Sequence, residues 1–208
     1  MQIDEILRAA SVIPVLEVAD IAAAAPLAKA LAAGGLRVVE LTLRTACALE
    51  ALGVMRETAP ELIVGMGTVR TEEDMVRSLE GGAAFLVSPG ADAGLLAALA
   101  RSGAPALPGV ATASEAMTVA AAGLRAMKFF PAEPAGGLSY LKSLAGPLPD
   151  LVFCPTGGVS AERAPDYLAL PNVACVGGSW IATRAMIQNC DWDSVTENAR
   201  RAEAMKTA

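Results

Sequence analysis

No histidine occurs among the 208 residues, and that absence narrows the available chemistry. Histidine is the commonest transition-metal ligand and the side chain that ordinarily titrates near neutral pH. Acid–base chemistry must therefore fall to Lys, Glu, Asp, Arg, Ser, Thr, Cys or backbone groups. No metal site is expected, because imidazole is the usual transition-metal ligand and none is present. Aromatic residues are scarce too, at 4% against 54% hydrophobic, so the core must be built from Ala, Val, Leu, Ile and Met. Mean hydropathy is +0.47, yet no run reaches the ~20 uninterrupted apolar residues of a spanning helix. The longest stretch, Ile21 to Leu36, is broken by Pro26 and Lys29. Asp4 and Glu5 stand where a signal peptide carries positive charge, so a soluble, non-exported protein without a membrane partner is expected. Positive charge is in deficit, with 16 Lys and Arg against 22 Asp and Glu and a net charge of −6. That balance argues against nucleic acid, which demands a basic footprint. An anionic small molecule would have to be held by local donors. Cys47, Cys154, Cys175 and Cys190 show no CxxC spacing; two of them sit inside apolar strand-like runs, as buried reduced thiols do, and neither a disulfide nor a zinc framework is expected.

What is present is an alternation. Short runs rich in β-branched residues (Val12–Val18, Val38–Leu43, Leu62–Val69, Phe85–Ser88, Pro105–Val110, Ala126–Pro131, Leu151–Pro155, Val173–Gly177) are separated by Ala- and Leu-rich stretches of helical length. The helical stretches are Ile21–Ala33, Cys47–Ala59, Glu72–Gly81, Ala93–Ser102, Ser114–Ala122, Leu138–Ala145 and Ala161–Leu170, with Ile3–Ala10 and Asp193–Lys206 at the ends. Strict alternation predicts a parallel sheet with crossover helices, and eight strands point to a closed barrel rather than an open doubly wound sheet. The fold expected is a single (β/α)8 TIM barrel over residues 1–208, with an extra N-terminal helix. The chain is at the short end for that fold, which demands brief loops.

Barrel interiors are filled by bulky apolar side chains, while functional groups gather at the C-terminal ends of the strands. Of the four lysines, only Lys128 falls in a predicted strand, within Ala126-Met-Lys-Phe-Phe-Pro131. Burying an ammonium there costs several kcal/mol without compensation. The plain alternative is a lysine at the strand mouth that reaches water or a carboxylate. A second anomaly sits in Val38–Thr45, where strand alternation puts Glu40, Thr42 and Arg44 on one face. Glu40 alone would serve as an ion-pair partner of Arg44. Together with Lys128 these residues point to a site. Thr68 closes Gly65-Met-Gly-Thr-Val69 and adds a hydroxyl beside small residues.

A lysine is nucleophilic only when neutral, and a free one at a pKa near ~10.4 is almost fully protonated. Desolvation, or a cation such as Arg44, would lower that value. Such a lysine can form a Schiff base with a ketone, and the iminium then drains electrons from a neighbouring carbon–carbon bond. Glu40 is the carboxylate placed to move protons. Pro155-Thr-Gly-Gly158 and Gly177-Gly-Ser-Trp180 follow the seventh and eighth strands, where barrels commonly bind phosphate through backbone N–H groups. Thr156 and Ser179 add hydroxyl donors.

These motifs, with Ser88-Pro-Gly90, Pro108-Gly109 and Lys128-Phe-Phe-Pro-Ala-Glu133, occur in an order that resembles the 2-keto-3-deoxy-6-phosphogluconate aldolases, also described as 4-hydroxy-2-oxoglutarate aldolases. The resemblance covers nearly the whole chain. It implies Lys128 as the Schiff-base lysine and Glu40 as the general acid/base. Arg44 and Thr68 would hold the pyruvate carboxylate, and Phe130 would line the pocket. Thr156 would contact sugar hydroxyls, while Gly157, Gly158, Gly178 and Ser179 would receive phosphate. It also implies a cytoplasmic homotrimer that needs no cofactor. The implied reaction splits 2-dehydro-3-deoxy-6-phosphogluconate into pyruvate and glyceraldehyde 3-phosphate, with 4-hydroxy-2-oxoglutarate open as a second substrate. The galactonate epimer and, from another class, a phosphosugar isomerase or epimerase remain as alternatives. Glu17, a charge inside the first strand, is expected to face a helix end or water, and the Ala- and Leu-rich outer helices are expected to leave surplus apolar surface for an oligomer.

Overall fold

Side chains alternate in direction along a strand, so a parallel strand of this composition has two apolar faces to bury. A computed structural model of the protein describes residues 1–205. The strands are β1 (Val12–Leu16), β2 (Val38–Thr42), β3 (Ile63–Gly67), β4 (Leu86–Val87), β5 (Ala106–Leu107), β6 (Gly109–Val110), β7 (Ala126–Phe129), β8 (Val152–Pro155) and β9 (Val176–Gly178). One sheet runs β5-β4-β3-β2-β1-β9 and the other β6-β7-β8, and every paired neighbour is parallel. β5 and β6 are halves of the single predicted run Pro105–Val110, parted at Pro108, which has no N–H for the ladder. Its carbonyl is still used, accepting from Lys128 N at 3.0 Å. Isolated parallel bridges Phe153↔Val173 and Thr156↔Gly177 join β8 to the last strand. The two sheets thus close into one eight-stranded parallel barrel.

Helices α1 (Ile3–Arg8), α2 (Ala24–Ala33), α3 (Ala48–Thr58), α4 (Glu72–Glu80), α5 (Ala93–Ser102), α6 (Ala113–Ala121), α7 (Gly137–Leu144), α8 (Ala164–Leu168), α9 (Arg184–Gln188) and α10 (Trp192–Glu203) complete the chain. Their starts follow from side-chain caps: Thr71 accepts from Asp74 N, Asp92 from Leu95 N, and Thr112 forms a capping box with Glu115. Three departures from the sequence reading have local causes. The predicted Ile21–Ala33 helix opens with a 3-10 turn, Ile21–Ala23, capped by Asp20. The predicted Ala161–Leu170 helix contracts to α8, with Pro165 in its first turn. The five-residue α9 was not expected, being too short for a period, and it is capped by Thr183. Lys206, placed in the last predicted helix, lies outside the described residues.

The two strand faces enter two clusters. Val39, Leu41, Val64, Met66, Met127, Phe129 and Phe153 pack outward among the helices. Ile13, Val38, Phe85, Val87, Leu107, Ala126, Cys154 and Cys175 pack inward and meet Ile6, Leu7 and Ala10 of the α1 segment. α1 is therefore a stopper across one end of the barrel. All four cysteines are free thiols, and Cys175 is held well above the ordinary thiol pKa by its hydrogen bond with Cys154 and by burial. No helix of the described residues is long and apolar enough to cross a membrane. The exposed large hydrophobics among those residues are Met1, Val76 and Met117, so the surplus of apolar surface expected on the outer helices is not seen in large side chains.

Ile6 is fully buried against the barrel interior. Ile6→Ala should cost about 2–5 kcal/mol, read as a lower urea midpoint with an unchanged slope. An unaltered midpoint would mean that α1 does not seal the barrel.

Candidate functional site

The inward face that is apolar beside α1 turns polar towards the C-terminal ends of the strands. On β2 the inward positions are Val38, Glu40 and Thr42, as strand alternation predicts. Glu40 and Lys128 are both buried, at 4% exposure each. They stand on β2 and β7, on different walls of the ring, and meet inside it: Lys128 Nζ donates to Glu40 Oε1 at 3.0 Å and to Oε2 at 3.3 Å. The sequence reading placed both in a site but did not specify this contact.

Glycines make the room. A Cβ on Gly67, beside Thr42 in the β2–β3 register, would overlap the Glu40 carboxylate. A Cβ on Gly177 would overlap the Thr156 hydroxyl, whose residue is bridged to Gly177 and buried at the top of β8. Phe130 follows Lys128 on the chain, with the ammonium 5.3 Å from its ring centroid, a cation–π distance. Its other side lies against Gly157, where a Cβ would come within 3.2 Å of the ring.

Arg44 lies just past β2, exposed at the barrel mouth. Its Nε donates to Thr68 Oγ1 at 3.1 Å. Thr68 adopts φ 61°, a left-handed conformation that is unusual for a β-branched residue. Such strain persists only where the surroundings over-determine it, and here it aims the hydroxyl at Arg44. The cation expected beside Lys128 is thus turned outward, and the charge facing Lys128 is Glu40.

A cavity of about 250 Å³ opens at this end, walled by Glu17, Thr42, Arg44, Ser179, Thr183 and Arg184 among others. Glu40 lies one step below Thr42 on the same strand face. Gly157 and Gly158 follow β8 with φ 102° and 83°, values that favour glycine, and Gly178 ends β9 immediately before Ser179. The structure thus gathers Arg44, Thr42 and Ser179 around one opening, with the Lys128–Glu40 pair beneath it, and sets Thr156 to Gly158 on the neighbouring strand end. Glu17 proves to have a specific partner. It does face a helix end, as expected: at the cavity wall its carboxylate accepts from Nη2 of Arg184, the first residue of α9, at 2.6 Å. The signal was present in β1, where Ile13 and Val15 alternate inward and Glu17 continues the series. Arg184 was missed altogether because it begins the unpredicted α9.

Gly67→Ala should displace the Glu40 carboxylate while leaving the fold intact. Once an activity is assigned, its turnover should fall by at least about 10-fold, the loss expected from misplacing one acid–base group, with an unchanged circular dichroism spectrum.

Comparison with known proteins gives one consistent result. A family model, "Aldolase: KDPG and KHG aldolase", matches residues 3–198. The chain is 44% identical over 199 residues to the KHG/KDPG aldolase of Escherichia coli K12, covering 96% of this chain and 93% of that one. A crystal structure of KDPG aldolase from Legionella pneumophila, with pyruvate captured at low pH as a covalent carbinolamine intermediate, superposes with a TM-score of 0.95 at 43% identity over 98% of both chains. The 2-keto-3-deoxy-6-phosphogluconate aldolase of Zymomonas mobilis with 3-phosphoglycerate gives a TM-score of 0.94 at 46% identity, covering 99% of this chain and 97% of that one.

Proposed function

This chain belongs to the KDPG and KHG aldolase family, and from that premise we propose that it is a class I aldolase using Lys128 as its Schiff-base lysine. The substrate in this reading is 2-dehydro-3-deoxy-6-phosphogluconate, cleaved to pyruvate and glyceraldehyde 3-phosphate, with 4-hydroxy-2-oxoglutarate as a second substrate giving pyruvate and glyoxylate. The observation that carries the reading is the buried Lys128 Nζ within 3.0 Å of Glu40. An amine must be neutral to attack, and a carboxylate at hydrogen-bond distance can take its proton without any change in the net charge of the buried pair.

The chemistry then follows from positions. Lys128 Nζ adds to the C2 carbonyl, and the carbinolamine loses water to leave an iminium. Glu40 accepts the 4-hydroxyl proton, through a water where the distance requires it. The C3–C4 bond breaks, its electrons flow into the iminium to form an enamine, and the aldehyde departs. Glu40 returns a proton to C3, and hydrolysis frees pyruvate and the lysine. Arg44, held by Thr68, is suited to the keto-acid carboxylate as a bidentate planar donor. Phe130 closes one side of the pocket. In this reading Thr156 contacts a sugar hydroxyl, and the backbone of Gly157, Gly158 and Gly178 with the Ser179 hydroxyl receives the phosphate. The catalytic scheme draws on no cofactor. The reading extends to a cytoplasmic protein and to a homotrimer, which a light-scattering mass near that of three chains would support and a single-chain mass would exclude.

Borohydride reduction with pyruvate, followed by peptide mass spectrometry, tests the central step. A stable pyruvyl adduct on Lys128 is expected, together with its absence in Lys128→Arg. Glu40→Gln should retain an adduct while cleavage falls by about 100-fold or more, the scale of a lost acid–base group. Folded wild-type protein with an unmodified Lys128 would overturn the assignment in favour of an isomerase or epimerase.

A further inference from the structure

The Glu17–Arg184 ion pair has no place in the mechanism above, yet both residues wall the cavity that contains Arg44 and Ser179. Charge arithmetic at this opening motivates a role. The proposed substrate brings a carboxylate at one end and a phosphate ester at the other to a protein whose net charge is −6. Arg44 is assigned to the carboxylate, which leaves the phosphate end with backbone and hydroxyl donors but no cation. Arg184 is the second arginine in the cavity wall.

Its side chain is 68% exposed, whereas that of Glu17 is 17% exposed. The carboxylate is thus the more buried partner, and the guanidinium is open to solvent at the cavity wall. The recorded contact uses Nη2 alone, at 2.6 Å. Arginine carries five N–H donors in a rigid fork, so Nη1 and Nε are not committed to Glu17. The backbone of Arg184 is fixed by Thr183, whose hydroxyl caps α9 by accepting from Met186 N, and by the buried Ile187 on the same short helix. A bare Glu17 at this mouth would repel a phosphate. Paired with Arg184, it becomes the anchor of a donor group.

We propose that Arg184 is a specificity-determining residue that binds the phosphate end of the substrate, and that Glu17 is the positioning residue that aims its guanidinium. This rests on the aldolase reading of the preceding section. Glu17 acts only through Arg184, leaving the arginine's free donors to the anion, and the device selects charged over uncharged aldehydes.

The condensation direction separates this from the basic chemistry. Wild-type protein is first trapped with pyruvate and borohydride. Failure to form the Lys128 adduct overturns the aldolase reading itself. With the adduct in hand, kcat/KM is compared for pyruvate with glyceraldehyde 3-phosphate and with unphosphorylated glyceraldehyde. Arg184→Ala should lower the phosphorylated-to-unphosphorylated ratio by about 10- to 100-fold, the scale of one charge-assisted hydrogen-bonding group. The loss should appear mainly in the KM of the phosphorylated aldehyde, with partial rescue in Arg184→Lys. Glu17→Gln should shift the ratio in the same direction by a smaller factor, and added salt should erode the wild-type preference more than that of Arg184→Ala. An unchanged ratio in Arg184→Ala, or equal losses for both aldehydes, overturns the role of Arg184. A ratio that rises in Glu17→Gln overturns the positioning role, because it would show the carboxylate competing with substrate for the arginine.

Discussion

A lysine and a carboxylate facing each other at 3.0 Å inside a barrel, each only 4% exposed, constitute the interaction to which the rest of the structure is fitted. Removing two charges from water costs several kcal/mol per ion, and mutual attraction offsets it only when the geometry is good. Here Glu40 receives both hydrogen bonds from one ammonium. The pair is therefore not an efficient way to stabilise a barrel. An apolar pair of similar volume would serve folding as well or better. Its presence makes sense in the proposed reaction, which needs an amine and a carboxylate at hydrogen-bond distance inside the barrel.

The surroundings are adapted to it by subtraction. Barrel cores ordinarily fill with Val, Ile and Leu in layers, and this one does so beside α1. Towards the other end, Gly67 yields its volume to the Glu40 carboxylate and Gly177 yields its volume to the Thr156 hydroxyl. Backbone strain is spent in the same region, at Thr68, where the left-handed conformation turns a hydroxyl towards Arg44. One half of the interior thus follows the rules of a hydrophobic core, and the other half departs from them around the polar groups.

Much of this was legible in the sequence because each strand announces itself twice, by β-branched content and by alternation. Lys128 stood out as the lone strand lysine, and Glu40, Thr42 and Arg44 as polar residues at inward spacing. What the sequence did not disclose depends on ring closure or on very short elements. The meeting of Lys128 with Glu40 requires β2 and β7 to face each other, which no local pattern encodes. Pro108 splits a strand without altering its hydrophobicity. Arg184 was hidden because α9 has five residues and a single buried contact, Ile187, too little to leave a period. Glu17 was visible as an anomaly, but its partner lies 167 residues away.

The stopper formed by α1 has a kinetic meaning. With Ile6, Leu7 and Ala10 closing one end, the barrel is a blind tube entered from a single side. In the proposed reaction the pyruvate half is tethered to Lys128, whereas the aldehyde half is free once the C3–C4 bond has broken. The two products must use the same exit in sequence. The aldehyde leaves first, and the enamine left behind is then either protonated or met by the next aldehyde. The covalent tether sets the order of release, the closed floor leaves both products a single exit, and the pyruvyl enzyme, rather than the empty one, is the form that a competing aldehyde encounters there.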